Sequence, residues 1–392
     1  MTIAAGLAAL SFFIWLYMVW GRGFFWLARE RDDRDEPADP ANWPSVCAVV
    51  PARDEADVIA RSIGSLLAQD YPGDFHVVLV DDDSSDGTAD AARDVAKAQG
   101  REDRLHVIGG APLPTGWTGK LWAVSQGVAY ASAMDAPPEH LLLTDADIAH
   151  SPDNVRKLVA RAEAGNLVLV SLMAKLHCET WAERILIPAF VFFFDMLYPF
   201  GQVNDPKSAM AAAAGGVMLI RRDALQAAGG IAAIRTAIID DCAMGALLKQ
   251  RGSIWLGLTE RATSLRPYVS FGEIARMVSR SAYAQLRYSP LLLAGTLLGM
   301  ILVYLLPPLF AVFGQGTVRY AGLGAWVLMT LSFQPMLRFY NRSPLWGVAL
   351  PAIGALYAIF TVQSAVQVWR GKGGFWKGRA QAQAGKTMAG QA

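Results

Sequence analysis

A chain of 392 residues has room for one large domain plus further segments, and 53% hydrophobic residues is high for an enzyme surrounded wholly by water. A net charge of +1 supplies no general attraction for nucleic acid, so no nucleic-acid partner is expected. The 3 cysteines (Cys47, Cys178, Cys242) form no CxxC pair, which argues against a disulfide framework or structural zinc site and fits reduced thiols.

Residues 1–20 carry no charge and are long enough, at about 20 residues, to cross a bilayer. They lack the basic start of a secretory signal, and Arg22, Arg29, Arg31 and Arg34 follow them. We expect an uncleaved transmembrane anchor over 1–21, with its arginine flank on the cytoplasmic side. Residues 30–44 are polar, charged and proline-containing, and read as a linker.

Strand and helix then alternate. Residues 46–50 read as a strand that ends in Pro51-Ala52-Arg53-Asp54-Glu55, and 56–69 carry helical spacing. The apolar run 77–80 leads into Asp81-Asp82-Asp83-Ser84-Ser85-Asp86-Gly87-Thr88, followed by a helix over 88–99 and a strand over 105–108. A Gly/Pro loop, 109–119, precedes a helix over 121–133, and the run 141–143 leads into Thr144-Asp145-Ala146-Asp147. A helix over 152–164 and a strand over 167–173 continue the series. The alternation predicts an α/β region built from βαβ units, with a parallel sheet covered on both faces.

Residues 185–200 are apolar and aromatic, compatible with a core helix or one lying in the membrane face. A small, Gly-rich segment, 211–216, leads into the apolar run 217–220, and Ile238-Ile239-Asp240-Asp241 opens a helix to about residue 250. Three hydrophobic stretches follow at 291–313, 320–337 and 345–369, then a basic tail over 370–392. Three crossings after a cytoplasmic region would leave that tail outside, against the positive-inside tendency, so the number of crossings stays open.

Ligands of parallel sheets sit beyond the carboxyl ends of the strands, where both aspartate clusters fall. Carboxylates crowded there repel one another unless a cation joins them, and hard oxygen donors suit Mg2+ or Mn2+ carrying a diphosphate. Asp145 and Asp147 are the expected metal ligands; the bland alternative is a surface Asx turn. Asp86-Gly87-Thr88 fits a helix cap. Asp81 and Asp82 lie too early for that role and are expected to meet the nucleotide. Residues 115–120 fail as a phosphate loop, because Pro114 stands where glycine is needed and Leu121 where Ser/Thr is needed. Lys120 can still meet a phosphate at a helix start, or be a solvated surface lysine. Asp240-Asp241 supplies a carboxylate free of metal, able to act as general base, although acids also simply favour a helix N-terminus.

Taken together, these residues resemble a family-2 glycosyltransferase of the GT-A fold. The resemblance rests on 50–55, 80–88, Gly119-Lys120, Asp145-Ala146-Asp147 and Asp240-Asp241, and covers about 45–288. It implies that Pro51, Ala52, Arg53, Glu55, Asp81 and Asp82 hold the nucleotide sugar, with Lys120 and Asp145. The DxD would carry the metal, and the acidic pair the base, foremost Asp241. A QxxRW-like motif of processive relatives is out of register, which speaks against long-chain polysaccharide synthesis. Arg276, Arg280 and Arg287 are all candidates for the diphosphate and the choice among them stays open, with Arg280 counted among the expected nucleotide-sugar-binding residues. The run 114–123 and the layout of anchor, catalytic region (45–289) and C-terminal helices (290–369) are similar to hopanoid-biosynthesis-associated bacterial glycosyltransferases.

The expected activity is inverting, metal-dependent transfer of a sugar from a nucleotide diphosphate sugar, foremost a UDP-sugar, to a lipid hydroxyl. The site would be the cytoplasmic face of the bacterial inner membrane, with nucleotide sugar, lipid acceptor and membrane as partners. Transfer to a polyprenyl phosphate is the rival enzyme activity and needs no base. A membrane partner that binds nucleotide sugar without turnover is the rival of another class. A transporter is disfavoured because the apolar stretches hold no acidic residue.

Overall fold

The computed structural model describes residues 3–371 and 373, and the backbone of 375–376 and 379–380. Most of the basic tail, 370–392, lies outside the described residues. The chain divides into two compact units. One consists of Glu30–His177 and Gln202–Arg266. The other gathers the chain up to Arg29, Cys178–Gly201 and Pro267–Gly374. The expected catalytic stretch 45–289 is thus shared out, because 178–201 and 267–289 join the unit of apolar helices.

The first unit holds eight strands: β1 Val46–Ala52, β2 Phe75–Asp81, β3 Leu105–Gly109, β4 His140–Thr144, β5 Ile148–His150, β6 Leu169–Lys175, β7 Val217–Arg221 and β8 Ile254–Ser264. They form one sheet in the order β3-β2-β1-β4-β7-β6-β8-β5. Four pairings are parallel (β1 with β2 and β4, β2 with β3, β6 with β8), so the sheet is mostly parallel, as the alternating pattern predicts. β7 runs antiparallel to β4 and β6, and β5 antiparallel to β8. Every residue of β1 is buried, which explains why its sequence is a continuous apolar run rather than an alternating one.

Two glycines let helices approach this sheet closely. In helix Gly119–Ser132 a Cβ on Gly127 would stand 2.4 Å from Val49 Cγ1 and 2.9 Å from Val80 Cγ2. In helix Asp240–Lys249 a Cβ on Gly245 would stand 2.5 Å from the Ala212 carbonyl carbon. Any larger residue would lift the helix, and with it the charged residues at its start.

The segment read as a linker, 30–44, is pinned rather than free. Arg31 makes a parallel bridge with Leu258, and Asp32 accepts a hydrogen bond from Thr259 Oγ1 at 2.6 Å. Arg261 reaches Asp32, Glu36 and Asp153, and Arg156 pairs with Asp39. The partners are more than 100 residues away in sequence, so local composition could not reveal them.

In the other unit, helix Trp181–Leu197 opens with a capping box between Thr180 and Glu183. Fully buried Glu183 also accepts the Tyr268 N–H at 2.6 Å, tying two distant segments together. The apolar stretch 185–200 falls mostly in this helix. It is largely buried, with Phe193 edge-on to Tyr357 at 4.9 Å.

Three helices, Ile3–Gly21, Pro290–Phe313 and Leu350–Trp369, are long and apolar enough to cross a membrane. Their outer faces are apolar as well: Phe13 is 64% exposed, Leu298 68% and Ile359 59%. The stretch 320–337 is different. It is divided between helices Gly316–Ser332 and Gln334–Phe339, and the 17 residues of the first span about 25 Å, short of the roughly 30 Å apolar core. Leu293 clusters with Ala365, and Tyr304 lies against Gly354, so Pro290–Phe313 and Leu350–Trp369 run antiparallel. Their packing returns residue 369 to the end of the pair where Pro290 begins.

Candidate active site

Four acidic residues of the sheet unit, Glu55, Asp145, Asp147 and Asp240, meet two cations. Lys120, the second residue of helix Gly119–Ser132, places Nζ 2.8 Å from Asp145 Oδ1 and 3.0 Å from Asp240 Oδ2. Arg266, just past β8, hydrogen-bonds Glu55 and places Nε 3.4 Å from Asp147 Oδ2. The DxD loop between β4 and β5 therefore presents one carboxylate to each cation. A cleft lined by Pro51, Lys120, Leu143, Asp145, Gly215 and Asp240 opens at this point.

Asp241 stands beside this arrangement. Its Oδ2 accepts the Gly215 N–H at 3.0 Å and its Oδ1 accepts the Cys242 N–H at 2.7 Å. Burial, then repulsion from Asp240, pushes its carboxyl up to about 6, against the opposing pull of Lys120 and the two N–H groups. Burial also raises the Asp145 carboxyl, against the pull of Lys120. For Lys120 burial acts downward, but Asp145 and Asp240 outweigh it, so the ammonium is held more firmly protonated than a free lysine. One acid poised near neutrality beside another locked to a cation is the arrangement general-base chemistry requires.

The nucleotide-binding expectations meet a tightly bonded loop pair. Arg53 hydrogen-bonds the Asp82 carbonyl and lies 3.6 Å from its carboxylate, which is 2% exposed. Asp81 Oδ1 accepts the Ser84 N–H at 3.1 Å. Asp86 accepts both Thr88 N–H and Ala56 N–H, so it joins the two loops as well as starting the helix. The expected Asp81/Asp82 pair is thus split, with Asp81 partly exposed and Asp82 buried against Arg53. Pro51 and Ala52 end β1 beside them. Arg280 belongs to the other unit and is exposed at the end of helix Phe271–Ser279.

Sequence reading missed Arg266. The signal was the run Ile254-Trp255-Leu256-Gly257-Leu258-Thr259, a strand-like stretch whose exit, before Pro267, was the place to look for a cation. It also missed Gly215, which supplies a backbone donor to Asp241, and the pair Thr144 and His150 beneath the DxD loop. Thr144 Oγ1 lies 3.0 Å from His150 Nε2, and His150 Nδ1 lies 2.7 Å from Asn154 Nδ2. Burial depresses the His150 imidazolium to about 4, so the ring is neutral.

A divalent metal fits this donor set in one particular way. Among the described residues, no group of three or more His, Cys, Asp or Glu converges closely enough to hold a metal unaided. Asp145 and Asp147 offer hard oxygens, and Mg2+ is ordinarily held by one or two carboxylates and completed by substrate phosphate and water. Two carboxylates on one short loop match that pattern.

Residues 47–229 match the model of glycosyl transferase family 2, a match that runs from β1 to just beyond helix Arg222–Ala227. That match takes in Lys120 and the DxD loop; Asp240, Asp241 and Arg266 lie past its end. An N-acetylglucosaminyltransferase of Rhizobium leguminosarum bv. viciae is 26% identical over 194 residues, which make up 47% of this chain and 43% of that protein. The chain therefore spans less than half the length of that curated relative. A mannosyltransferase from Pyrobaculum calidifontis, solved in complex with GDP-Man and Mn2+, superposes with a TM-score of 0.55 at 19% identity. The superposition covers 94% of this chain and 98% of that one, and at this identity it shows the fold.

Proposed function

We propose that the protein transfers a sugar from a nucleotide diphosphate sugar to a hydroxyl of a lipid acceptor, with inversion and with a divalent metal. The observation that carries this reading is Lys120 between Asp145 and Asp240, which brings the DxD loop and the acidic helix start to one cleft. Asp145 and Asp147 would hold Mg2+ or Mn2+, which when bound neutralises the diphosphate. The Mn2+ and GDP-Man of the Pyrobaculum mannosyltransferase support a metal and a nucleotide sugar here. Pro51, Ala52, Arg53, Glu55, Asp81 and Asp82 form the proposed nucleotide end.

Asp241 takes the proton of the acceptor hydroxyl as its oxygen attacks the anomeric carbon. The bond from that carbon to the diphosphate oxygen breaks, and the nucleoside diphosphate leaves from the opposite face, which inverts the centre. Lys120 and Arg266 place positive charge where negative charge develops on the leaving group. Asp240, held by Lys120, keeps Asp241 from ionising too readily, and so keeps it basic enough to work near neutral pH.

A membrane location accords with the three spanning-length helices. The antiparallel packing of the last two brings Arg370 back to the side of residue 290, so these two helices make an even number of C-terminal crossings. We assign that side to the cytoplasm, at the inner membrane of a bacterium, and the acceptor to hopanoid or related polyol lipids.

The test is lipid-linked sugar formation by purified protein in detergent. UDP- and GDP-sugars would be offered with hopanoid polyols and polyprenyl phosphates, with Mn2+, Mg2+ or EDTA. Metal-dependent glycosylation of a hydroxylated lipid is expected. Transfer to polyprenyl phosphate alone would move the protein to the rival activity, and nucleotide binding without turnover would end the enzymatic reading.

A further inference from the structure

We propose that His150, through Thr144, fixes the spacing between the DxD loop and the turn before β7 that holds Asp241, and so acts as a positioning residue for sugar transfer. The inference rests on the reading of Asp145/Asp147 and Asp241 as the donor and acceptor halves of one site. Its basis is a line of hydrogen bonds with only one consistent direction.

Thr144 and His150 are the last residue of β4 and the last of β5, and they bracket Asp145-Ala146-Asp147. Thr144 has a single hydroxyl proton, and it is donated to the Gly216 carbonyl at 2.7 Å. The same oxygen therefore accepts from His150 Nε2 at 3.0 Å, which puts the ring proton on Nε2. Nδ1 is then an acceptor, and Asn154 Nδ2 donates to it at 2.7 Å. The main chain of His150 is fixed too, its N–H donating to Ser65 Oγ at 3.0 Å.

The residue before Gly216 completes the connection. Gly215 donates its N–H to Asp241 Oδ2 at 3.0 Å. The base of the DxD loop and the carboxylate proposed as the base thus grip two neighbouring residues of one turn, just before β7. His150, Asn154 and Thr144 are nearly or fully buried, so water does not compete for these bonds. A shift of about 1 Å between a metal-bound donor and a base costs on the order of a hundredfold in rate, which gives such a brace its purpose.

The experiment compares Thr144→Val, His150→Leu and His150→Gln with the wild-type chain in detergent. Val keeps the shape of Thr and removes both hydroxyl bonds; Gln restores a donor at the reach of Nε2. Sugar transferred to acceptor and sugar released to water are measured together with the UDP- and GDP-sugar panel. Melting temperature and Mn2+ binding in the presence of UDP, by EPR, accompany them. We expect Thr144→Val and His150→Leu to lower the ratio of transfer to hydrolysis on the order of tenfold while Mn2+ with UDP still binds, and His150→Gln to recover it. If transfer and hydrolysis fall together in step with melting temperature, the pair is merely structural and the proposal is overturned. If the wild-type chain transfers no sugar at all, the underlying reading fails and takes the proposal with it.

Discussion

Lys120 Nζ lies 3.0 Å from Asp240 Oδ2, and the same ammonium holds Asp145 on its other side. One lysine is therefore the shared counter-charge of two acidic clusters that are 95 residues apart in the chain, counting from Asp145 to Asp240. Its removal leaves Asp145, Asp240 and Asp241 facing one another with less compensation. Lys120→Met should move the acid limb of the transfer rate above about 6, because burial and Asp240 then act on Asp241 without the opposing ammonium. A loss of stability on the order of 2 kcal/mol is expected after allowing for partial exposure, read as a lower melting temperature. A limb that stays in place would show that Lys120 does not govern Asp241.

Asp241 works as a base only when ionised, and its carboxyl lies at about 6. The sign follows directly: kcat/KM for transfer should be level at neutral pH and fall roughly tenfold per unit below about 6. A profile measured from pH 5 to 8 checks it. A rate that rises on acidification would assign catalysis to a protonated group instead.

Arg266 neutralises Asp147 and Glu55. In Arg266→Ala the freed carboxylates should bind Mn2+ more tightly when no nucleotide is present, since a competing cation is gone. Transfer should nevertheless slow by about tenfold, because a positive charge near the leaving diphosphate is also gone. These opposite signs are the check: EPR titration reads the first and steady-state kinetics the second. Weaker metal binding in this variant would contradict the placement of the metal on Asp147.

Gly245 tests whether helix placement matters for chemistry. Its Cβ position is 2.5 Å from a backbone carbon of Ala212, which cannot rotate away. Gly245→Ala should cost about 1–3 kcal/mol through overpacking, and should slow transfer further by displacing Asp240 and Asp241. Melting curves and rates, compared at a temperature where the variant is folded, separate the two effects.

Much of this site was legible because strand ends and helix starts leave local marks. Asp145 and Asp147 follow an apolar run, Lys120 and Asp241 stand at helix starts, and helix Thr88–Gln99 falls where its spacing places it. What was not legible depends on distant pairing. The insertion of β7 antiparallel between β4 and β6 leaves no mark in any short window. Neither does the parallel bridge that fastens Arg31 to Leu258. Arg266 was overlooked for a simpler reason. It stands just past β8, a strand absent from the expected series, whereas Arg276, Arg280 and Arg287 belong to the other unit.

The central claim is that a carboxylate deprotonates a lipid hydroxyl, and the most direct measurement is the rate of transfer to such an acceptor in Asp241→Asn beside the wild-type chain. Binding of nucleotide with Mn2+ is measured on both proteins to confirm an intact donor site. A loss of roughly 100-fold or more in kcat, with donor binding retained, is the predicted result. Transfer at a rate close to wild type would contradict the account, because the reaction would then proceed without the base on which it rests.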